Sequence, residues 1–178
     1  MRSSRRCTWV APLALCVGVA CARAAEPCGA AGWNLSHEQA LFAGAAISVR
    51  AGARLASAPT LATERLYRLT LTAQQEVTFA HTPGKVALTD GAYAGVARID
   101  IPSTGTYRVA IDRPFWIDIV DRGKLINSTD FTGERGCAPH KIVAYALAAG
   151  TLVLQVSGQV SPRVEISITR APDSASAH

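Results

Sequence analysis

The chain has 178 residues, with 18 Lys and Arg against 13 Asp and Glu, and its formal net charge is +5. Four of the basic residues are arginines within the first 24 positions (Arg2, Arg5, Arg6 and Arg23). Without that segment, 18 − 4 = 14 basic side chains face 13 acidic ones, and the net charge falls to 14 − 13 = +1. A chain so close to neutral gives no charge-based argument for binding nucleic acid or an anionic membrane surface.

The N-terminal segment has the three parts of a secretory signal peptide. Arg2, Arg5 and Arg6 form a basic start, residues 8–22 are an apolar region, and Ala22-Arg23-Ala24 fits a cleavage site. We therefore predict a signal peptide over residues 1–24 and a periplasmic or secreted location. The apolar run is too short for a comfortable membrane span, so no integral membrane span is expected. An alternative is lipidation of Cys21, because the preceding residues are similar to a lipobox except at Gly18.

Removal of the signal peptide leaves two of the five cysteines, Cys28 and Cys137. Two cysteines in an exported chain most simply form one disulfide bond. The bond would close a loop of over 100 residues, which the chain-entropy account values at about 4–5 kcal/mol before native strain is subtracted. A redox-active or metal-binding thiol pair is the alternative, although no Cys-x-x-Cys motif favours it.

The mature chain is long enough for one domain with its own core, which we place at residues 25–170. Residues 171–178 are polar and are predicted to be a disordered tail. The helical candidate is the segment 28–46, where Ser36 is the predicted N-cap and Gln39 completes a capping box. Such a short helix depends on packing against the domain for its stability.

The rest of the chain alternates apolar and polar residues with a period of two, the pattern of half-buried strands. Gly and Pro separate the runs, and no crossover helices lie between them. The prediction is an all-β fold, an antiparallel β-sandwich or jelly roll of about eight or nine short strands with one short N-terminal helix. The main predicted strands are 66–72, 76–80, 94–101, 106–112, 115–120, 125–131, 141–147, 151–157 and 163–169. The polar run 125–131 is expected at a sheet edge.

Several of these runs carry a resemblance. The segments YRLTL, GTYRVAI, FWIDIV, GC…HKIV and LVLQVSG…VEISI resemble a family of small secreted bacterial proteins that has no established activity. The general plan is similar to β-sandwich domains of the pre-peptidase C-terminal type. Some members of the family bear the label homogentisate 1,2-dioxygenase, which we interpret as wrongly transferred, because that enzyme is a much larger cytosolic iron protein. The resemblance implies a fold and says little about function.

Metal ligands are sparse in the sequence. A non-haem iron oxygenase needs two His and a carboxylate converging on one site, and no His-x-His spacing of the cupin kind is present. His140, Glu134 and His81 are the weak candidates for a metal site, and they lie in predicted loops. No cofactor is expected, and iron is the alternative.

The most suggestive feature for binding is the run 115–120. Alternation places Trp116 and Asp118 on the face opposite the predicted core, and Arg113 precedes them. An aromatic plane beside a carboxylate and a guanidinium suits a sugar or peptide ligand. In the alternative interpretation, the N-terminal segment covers Trp116 through Trp33 or Phe42.

The function predicted from the sequence is an exported, non-catalytic binding or interaction domain. Its partner would be an unidentified protein, small molecule or glycan of the envelope. A metal-dependent oxygenase with iron is one alternative. An envelope structural or assembly partner that adds a strand at an edge such as 125–131 is another.

Overall fold

The computed structural model of the chain describes residue 28, residues 32–85 and residues 90–172. The predicted signal peptide at 1–24, the lipidation alternative at Cys21 and residues 173–178 of the predicted tail lie outside the described residues. Within the described part the structure contains one α-helix and twelve strands in two sheets. The all-β sandwich predicted from the sequence is confirmed.

The elements are as follows. Helix α1 is Ser36–Phe42, and 3-10 turns occupy Leu55–Ser57 and Gln74–Glu76. The strands are β1 (Ile47–Arg50), β2 (Thr60–Ala62), β3 (Leu66–Thr70), β4 (Thr72–Ala73), β5 (Tyr93–Ile101), β6 (Gly105–Ile111), β7 (Trp116–Asp121), β8 (Lys124–Ile126), β9 (Asp130–Gly133), β10 (Lys141–Leu147), β11 (Gly150–Gln159) and β12 (Arg163–Arg170). Twelve strands exceed the predicted eight or nine because several edge pieces have only two to four residues.

The strands form two layers. Sheet I has the order β1-β3-β12-β6-β10-β9, and sheet II has the order β2-β5-β11-β7-β8, with β4 pairing the other end of β5. One hydrophobic cluster fills the space between the sheets and takes alternate residues from the long strands, as period-two burial requires. In β12, for example, Val164, Ile166 and Ile168 all point into it.

Two edge pairings differ from the predicted antiparallel arrangement. Strand β1 runs parallel to β3, and β2 runs parallel to β5, whereas every other named pairing in the described chain is antiparallel. The chain leaves sheet I after β1, adds β2 to sheet II, and then returns to sheet I as β3. A detour through the opposite sheet lets the chain re-enter in the same direction without a crossover helix.

Two predicted strands are wrong in detail. Residues 76–80 do not form a strand, because the chain turns at Gln74–Glu76 and the following segment leaves the sheet pairing. The run 125–131 is split between β8 in sheet II and β9 in sheet I, and the chain crosses between the sheets at residues 127–129. The predicted edge position is confirmed for both pieces, because each ends its sheet.

The predicted capping box is also wrong. Ser36 is the first helical residue, and the N-cap, Leu35, makes no side-chain cap hydrogen bond. Asn34 Oδ1 instead accepts hydrogen bonds from the Ser36 amide at 3.1 Å and from the Ser36 hydroxyl at 2.7 Å. Gln39 donates its side-chain amide to the Cys28 carbonyl, so the helix is tied to the chain before it.

Cys28 and Cys137 form the predicted disulfide bond, with Cα atoms 5.6 Å apart and a sequence separation of 109. The bond fastens the start of the described chain to the loop between β9 and β10. Helix α1 contacts β12, which places the N-terminal segment on the outer face of sheet I.

Candidate functional site

A cleft opens between the two sheets where β7 of sheet II faces β9 and β10 of sheet I. It encloses about 240 Å³ and is lined by Trp116, Ile117, Ser128, Phe131, Lys141, Val143 and Tyr145. Three of these side chains are aromatic and two are aliphatic. Apolar walls with a few polar groups are typical of small-molecule sites.

The cleft exists because β8 covers only part of β7. The register pairs Ile119 with Ile126 and Asp121 with Lys124, and the first half of β7 has no partner strand on that side in the described chain. Arg122 and Gly123 form the two-residue turn between the strands with φ values of 45° and 77°. Such turns hold the hairpin tight, and the chain then leaves for sheet I after Ile126.

Two side chains from sheet I bond to the backbone at this uncovered edge of β7. Tyr145 Oη donates to the Ile117 carbonyl at 3.1 Å, and Lys141 Nζ donates to the Phe115 carbonyl at 3.1 Å. Backbone groups of alternate residues point to the same side of a strand, so these carbonyls face the side on which β8 pairs Ile119. The two bonds join the sheets across the floor of the cleft and satisfy carbonyls that a neighbouring strand would otherwise pair.

Trp116 and Asp118 lie on the same face of β7, as the alternation predicts. The indole Nε1 donates to Asp118 Oδ1 at 2.8 Å, and the Gly84 amide donates to Asp118 Oδ2 at 3.1 Å. Asp118 is only 7% exposed. Both carboxylate oxygens of Asp118 therefore accept hydrogen bonds from the protein itself. Because this carboxylate is buried, it is not the exposed group that the sequence predicted beside Trp116.

The cover over this face comes from the chain between the turn at Gln74–Glu76 and Lys85. Gln155, buried on β11, donates its amide to the His81 carbonyl and accepts from the His81 amide, both at 3.0 Å. These bonds and the contact of Gly84 with Asp118 hold residues 81–84, the covering segment, on the outer face of sheet II. The alternative in which the N-terminal segment covers Trp116 is wrong about the covering segment, because Trp33 stacks on Arg108 of sheet I and Phe42 belongs to α1, which contacts β12 of the same sheet.

Two ammonium groups lie near the Trp116 ring. Lys141 Nζ is 5.2 Å and Lys85 Nζ is 5.7 Å from the ring centroid, within cation–π range. Burial lowers the pKa of Lys141, the nearby charge of Lys85 lowers it further, and Asp118 opposes both. Burial also raises the pKa of Tyr145, with a smaller contribution from Asp118. The tyrosine hydroxyl therefore stays protonated and remains a donor at neutral pH.

The third residue of the predicted binding set is not brought to this cleft. Arg113 is exposed and forms an ion pair with Asp112, with Nε and Oδ2 3.4 Å apart. Burial raises the pKa of Asp112, and the amide hydrogen bond from Glu165 and the charge of Arg113 oppose that shift. Arg113 thus belongs to a surface pair after β6 and takes no part in lining the cleft.

Phe131 and Lys141 line the cleft but were not singled out in the sequence. Phe131 is 73% exposed although it is a large apolar residue. An aromatic residue after the four polar residues 127–130 of the predicted edge run was the available signal for it. Lys141 had no local signal, because its role depends on Phe115 and Trp116, which lie more than twenty residues away in the chain.

The weak metal candidates do not converge. His140 and Glu134 line one shallow depression near β9 and β10, whereas His81 is held on sheet II by Gln155 and its ring nitrogen contacts the Thr82 carbonyl. Over residues 28, 32–85 and 90–172, no group of three or more His, Cys, Asp or Glu side chains is placed to hold a metal ion.

A second polar cluster lies under α1 on the outer face of sheet I. Glu38 is 1% exposed, and its Oε1 accepts from Thr169 Oγ1 at 3.0 Å and from Arg108 Nη1 at 3.3 Å. Arg108 Nη1 also donates to the Asn34 carbonyl at 2.8 Å, and its guanidinium stacks on Trp33 at 4.5 Å. The cluster fixes the N-terminal segment to β6 and β12.

No protein-family model matches the chain, and no curated protein matches it. The part of the chain that the structure describes contains no helix that is long and apolar enough to cross a membrane. The assignment of function therefore depends on the cleft itself.

Proposed function

We propose that this protein is an exported, non-catalytic binding domain that takes a small, largely apolar molecule in the cleft between its sheets. The observation that supports the binding site is the cleft beside Trp116, which has aromatic and aliphatic walls and which no side chain of the described residues fills. Export is supported by the predicted signal peptide and is consistent with the disulfide bond between Cys28 and Cys137. The resemblance to a secreted β-sandwich family agrees with this assignment.

The size and chemistry of the cleft limit the ligand. A volume of about 240 Å³ is below the usual range for drug-sized ligands, so a single ring with a short chain fits best. A glycan, which the sequence suggested as a ligand, suits this cleft less well than an apolar molecule. Sugar binding needs hydrogen-bond acceptors beside the aromatic plane, and both oxygens of Asp118 already bond to Trp116 and Gly84.

A fragment screen by ligand-observed NMR tests the binding proposal. Ser128 lies exposed at the mouth of the cleft, so Ser128→Phe should block the opening without overpacking the core. Ser48→Phe is the matched control, because it adds the same ring to an exposed position of β1, at the opposite end of sheet I from β9. We expect single-ring fragments to bind wild type and Ser48→Phe with about millimolar affinity and to lose binding to Ser128→Phe. Equal binding to all three proteins, or none to any, contradicts the proposal.

A strand-addition role is the second candidate, and the exposure of Phe131 favours it. Strand β9 ends sheet I with an open backbone edge in the described structure, and Phe131 is 73% exposed on it. A partner strand could add to such an edge.

Photo-crosslinking from the exposed residue 129 in cells tests this role. The Phe131 amide lies on the open side of β9, because amide direction alternates along a strand and the Glu134 amide, three residues on, bonds to the His140 carbonyl on the side of β10. A single crosslinked partner that disappears on Phe131→Pro supports the role, and crosslinks that persist unchanged in that variant contradict it.

The oxygenase alternative is tested by elemental analysis of the protein purified from metal-replete medium, with homogentisate-dependent oxygen uptake measured on the same sample. The proposed binding role predicts less than stoichiometric iron and no uptake. Iron near one equivalent together with uptake would establish the alternative and direct mutagenesis to His140, Glu134 and His81.

A further inference from the structure

We infer that the ligand of the cleft is a small organic anion, with an apolar body between Trp116 and Phe131 and its negative group beside the ammonium groups of Lys141 and Lys85. This inference depends on the proposed function, because it names the chemical class that the same cleft would bind. The proposed function depends on the size and apolar walls of the cleft, whereas the choice of an anion depends on the charged groups around the Trp116 ring.

The first step is the charge of the walls. Among the cleft's lining residues, Lys141 is the charged group and Tyr145 is a neutral hydroxyl. Lys85 adds a second ammonium near Trp116. In the part of the chain that the structure describes, neither lysine forms an ion pair with a carboxylate. The neighbouring acid, Asp118, has both oxygens hydrogen-bonded to Trp116 and Gly84.

The second step is the geometry of Lys141. Its ammonium has three N–H donors, and one of them bonds to the Phe115 carbonyl at 3.1 Å. The group is held over the Trp116 ring at the edge of the cleft, so its remaining donors are available to a molecule in the opening. Burial disfavours the ammonium form and the charge of Lys85 adds to this, so the pKa of Lys141 is lowered although the charge of Asp118 opposes both effects. A bound anion would reverse that penalty.

The third step is the choice among ligand charges. A cationic ligand would meet two ammonium groups near the aromatic ring it needs, and like charges repel. A neutral ligand would fill the cleft but leave Lys141 partly desolvated and without an ion pair to a carboxylate. An anion gains a charge-assisted hydrogen bond in a partly buried setting, where such bonds are strong. The anion is therefore the ligand class that matches both the walls and the charges.

Three probes of one shape test the inference. 3-Phenylpropionate, 3-phenylpropanamide and 3-phenylpropylamine share a ring and chain but carry a negative, neutral and positive end. Titration calorimetry should give the acid a dissociation constant about tenfold or more below that of the amide, and the amine the weakest binding. Lys141→Met should remove the preference for the acid over the amide, and Lys85→Met should reduce it.

The variants are paired so that a folding defect is recognised. Lys85 is exposed, so Lys85→Met should keep the fold even if Lys141→Met does not. Lys124→Met is the control, because Lys124 is an exposed lysine of β8 that lines a different depression. Equal binding of the acid and the amide to wild type overturns the anion assignment while leaving the cleft as a binding site. Failure of the acid to bind a protein that takes neutral fragments also overturns it. Failure of every fragment removes the proposed function and this inference together.

Discussion

Trp116 and Asp118, two residues apart on β7, are joined by a hydrogen bond of 2.8 Å from the indole Nε1 to Oδ1. Side chains two apart on a strand share a face, so the pairing follows directly from the sequence of this strand. The same carboxylate accepts the Gly84 amide, which links Trp116 to the covering segment. The indole is thereby held in one orientation, with its ring available to the cleft and its polar edge bonded to the protein.

Gln155→Met should release the covering segment. Gln155 is buried and both donates to and accepts from the His81 backbone, and methionine has a similar volume but cannot replace those bonds. We expect a loss of about 1–3 kcal/mol in unfolding free energy and faster hydrogen exchange at residues 81–84. Gln159→Met, at a half-buried residue with one bond to the Pro114 carbonyl, is the control. Unchanged exchange at His81 in Gln155→Met would refute the role assigned to Gln155.

Glu38→Ala should be among the most destabilising changes outside the central core. The substitution leaves Arg108, which is also buried, without its carboxylate and removes the acceptor of Thr169. Loss of one partner from a buried ion pair costs about 3–5 kcal/mol, to be measured by urea denaturation. Arg68→Ala is the control, because its pair with Glu165 is more exposed and is worth about 0–1 kcal/mol. Similar effects for both variants would show that burial of the Glu38 pair has no energetic consequence.

Removal of the disulfide bond should weaken the N-terminal segment first. Cys137→Ala frees Cys28, whose carbonyl also accepts the hydrogen bond from Gln39. Loss of a native disulfide typically costs about 2–5 kcal/mol, so the melting temperature should fall while the far-ultraviolet circular dichroism of the sheets is retained. Hydrogen exchange should accelerate in α1 and remain slow in β5 and β11. Two free thiols in the unreduced wild-type protein would contradict the bond itself.

Tyr145 should give the protein a distinct alkaline response. Burial raises the pKa of Tyr145 above its ordinary value of 10.0, so above pH 10 the unfolded tyrosine loses its proton while the folded one keeps it. The unfolded state then binds fewer protons, and the free energy of unfolding falls as pH rises from 10 toward the folded pKa. Tyr145→Phe should flatten this fall between pH 9 and 11.

Lys141 also changes the dependence of the unfolding free energy on pH, so its contribution must be separated from that of Tyr145. The pKa of Lys141 is lowered below 10.5, so between the folded pKa and 10.5 the unfolded state binds more protons and stability rises with pH. This contribution precedes the fall from Tyr145 and opposes it near pH 10. Tyr145→Phe in a Lys141→Met background isolates the tyrosine. Identical slopes above pH 10 with and without the Tyr145 hydroxyl would contradict the assignment.

The parts of the fold that follow from local alternation could be predicted, and those that depend on long-range pairing could not. Strands such as β6, β7 and β12 agree closely with the predicted runs, because their core residues recur with period two. The sequence pattern predicted one strand over residues 125–131, but the chain crosses from sheet II to sheet I at residues 127–129. No feature of the local sequence indicates that crossing. The disulfide was predictable because only two cysteines follow the predicted signal peptide.

The candidate site shows the same division. Trp116 and Asp118 could be placed on one face because they are two residues apart. The burial of Asp118 depends on Gly84, and the position of Lys141 depends on Phe115, contacts that bring together residues distant in the chain. Periodicity cannot report which segment lies over a sheet face. The sequence left two alternatives, an open platform or a face covered by the N-terminal segment, whereas residues 81–84 cover the face and the cleft lies beside it.

The most direct test of the cleft is a two-dimensional NMR titration of the Trp33→Phe protein. When residues 1–24, the predicted signal peptide, are also left out, Trp116 is the only tryptophan, and the spectrum contains a single indole N–H signal. On addition of 3-phenylpropionate and of its amide, we expect saturable shifts of this signal and of the amides of Phe131 and Val143, and none in the Ser128→Phe background. An indole signal that no aromatic fragment moves, or one that moves equally when the cleft is blocked, would contradict the binding site.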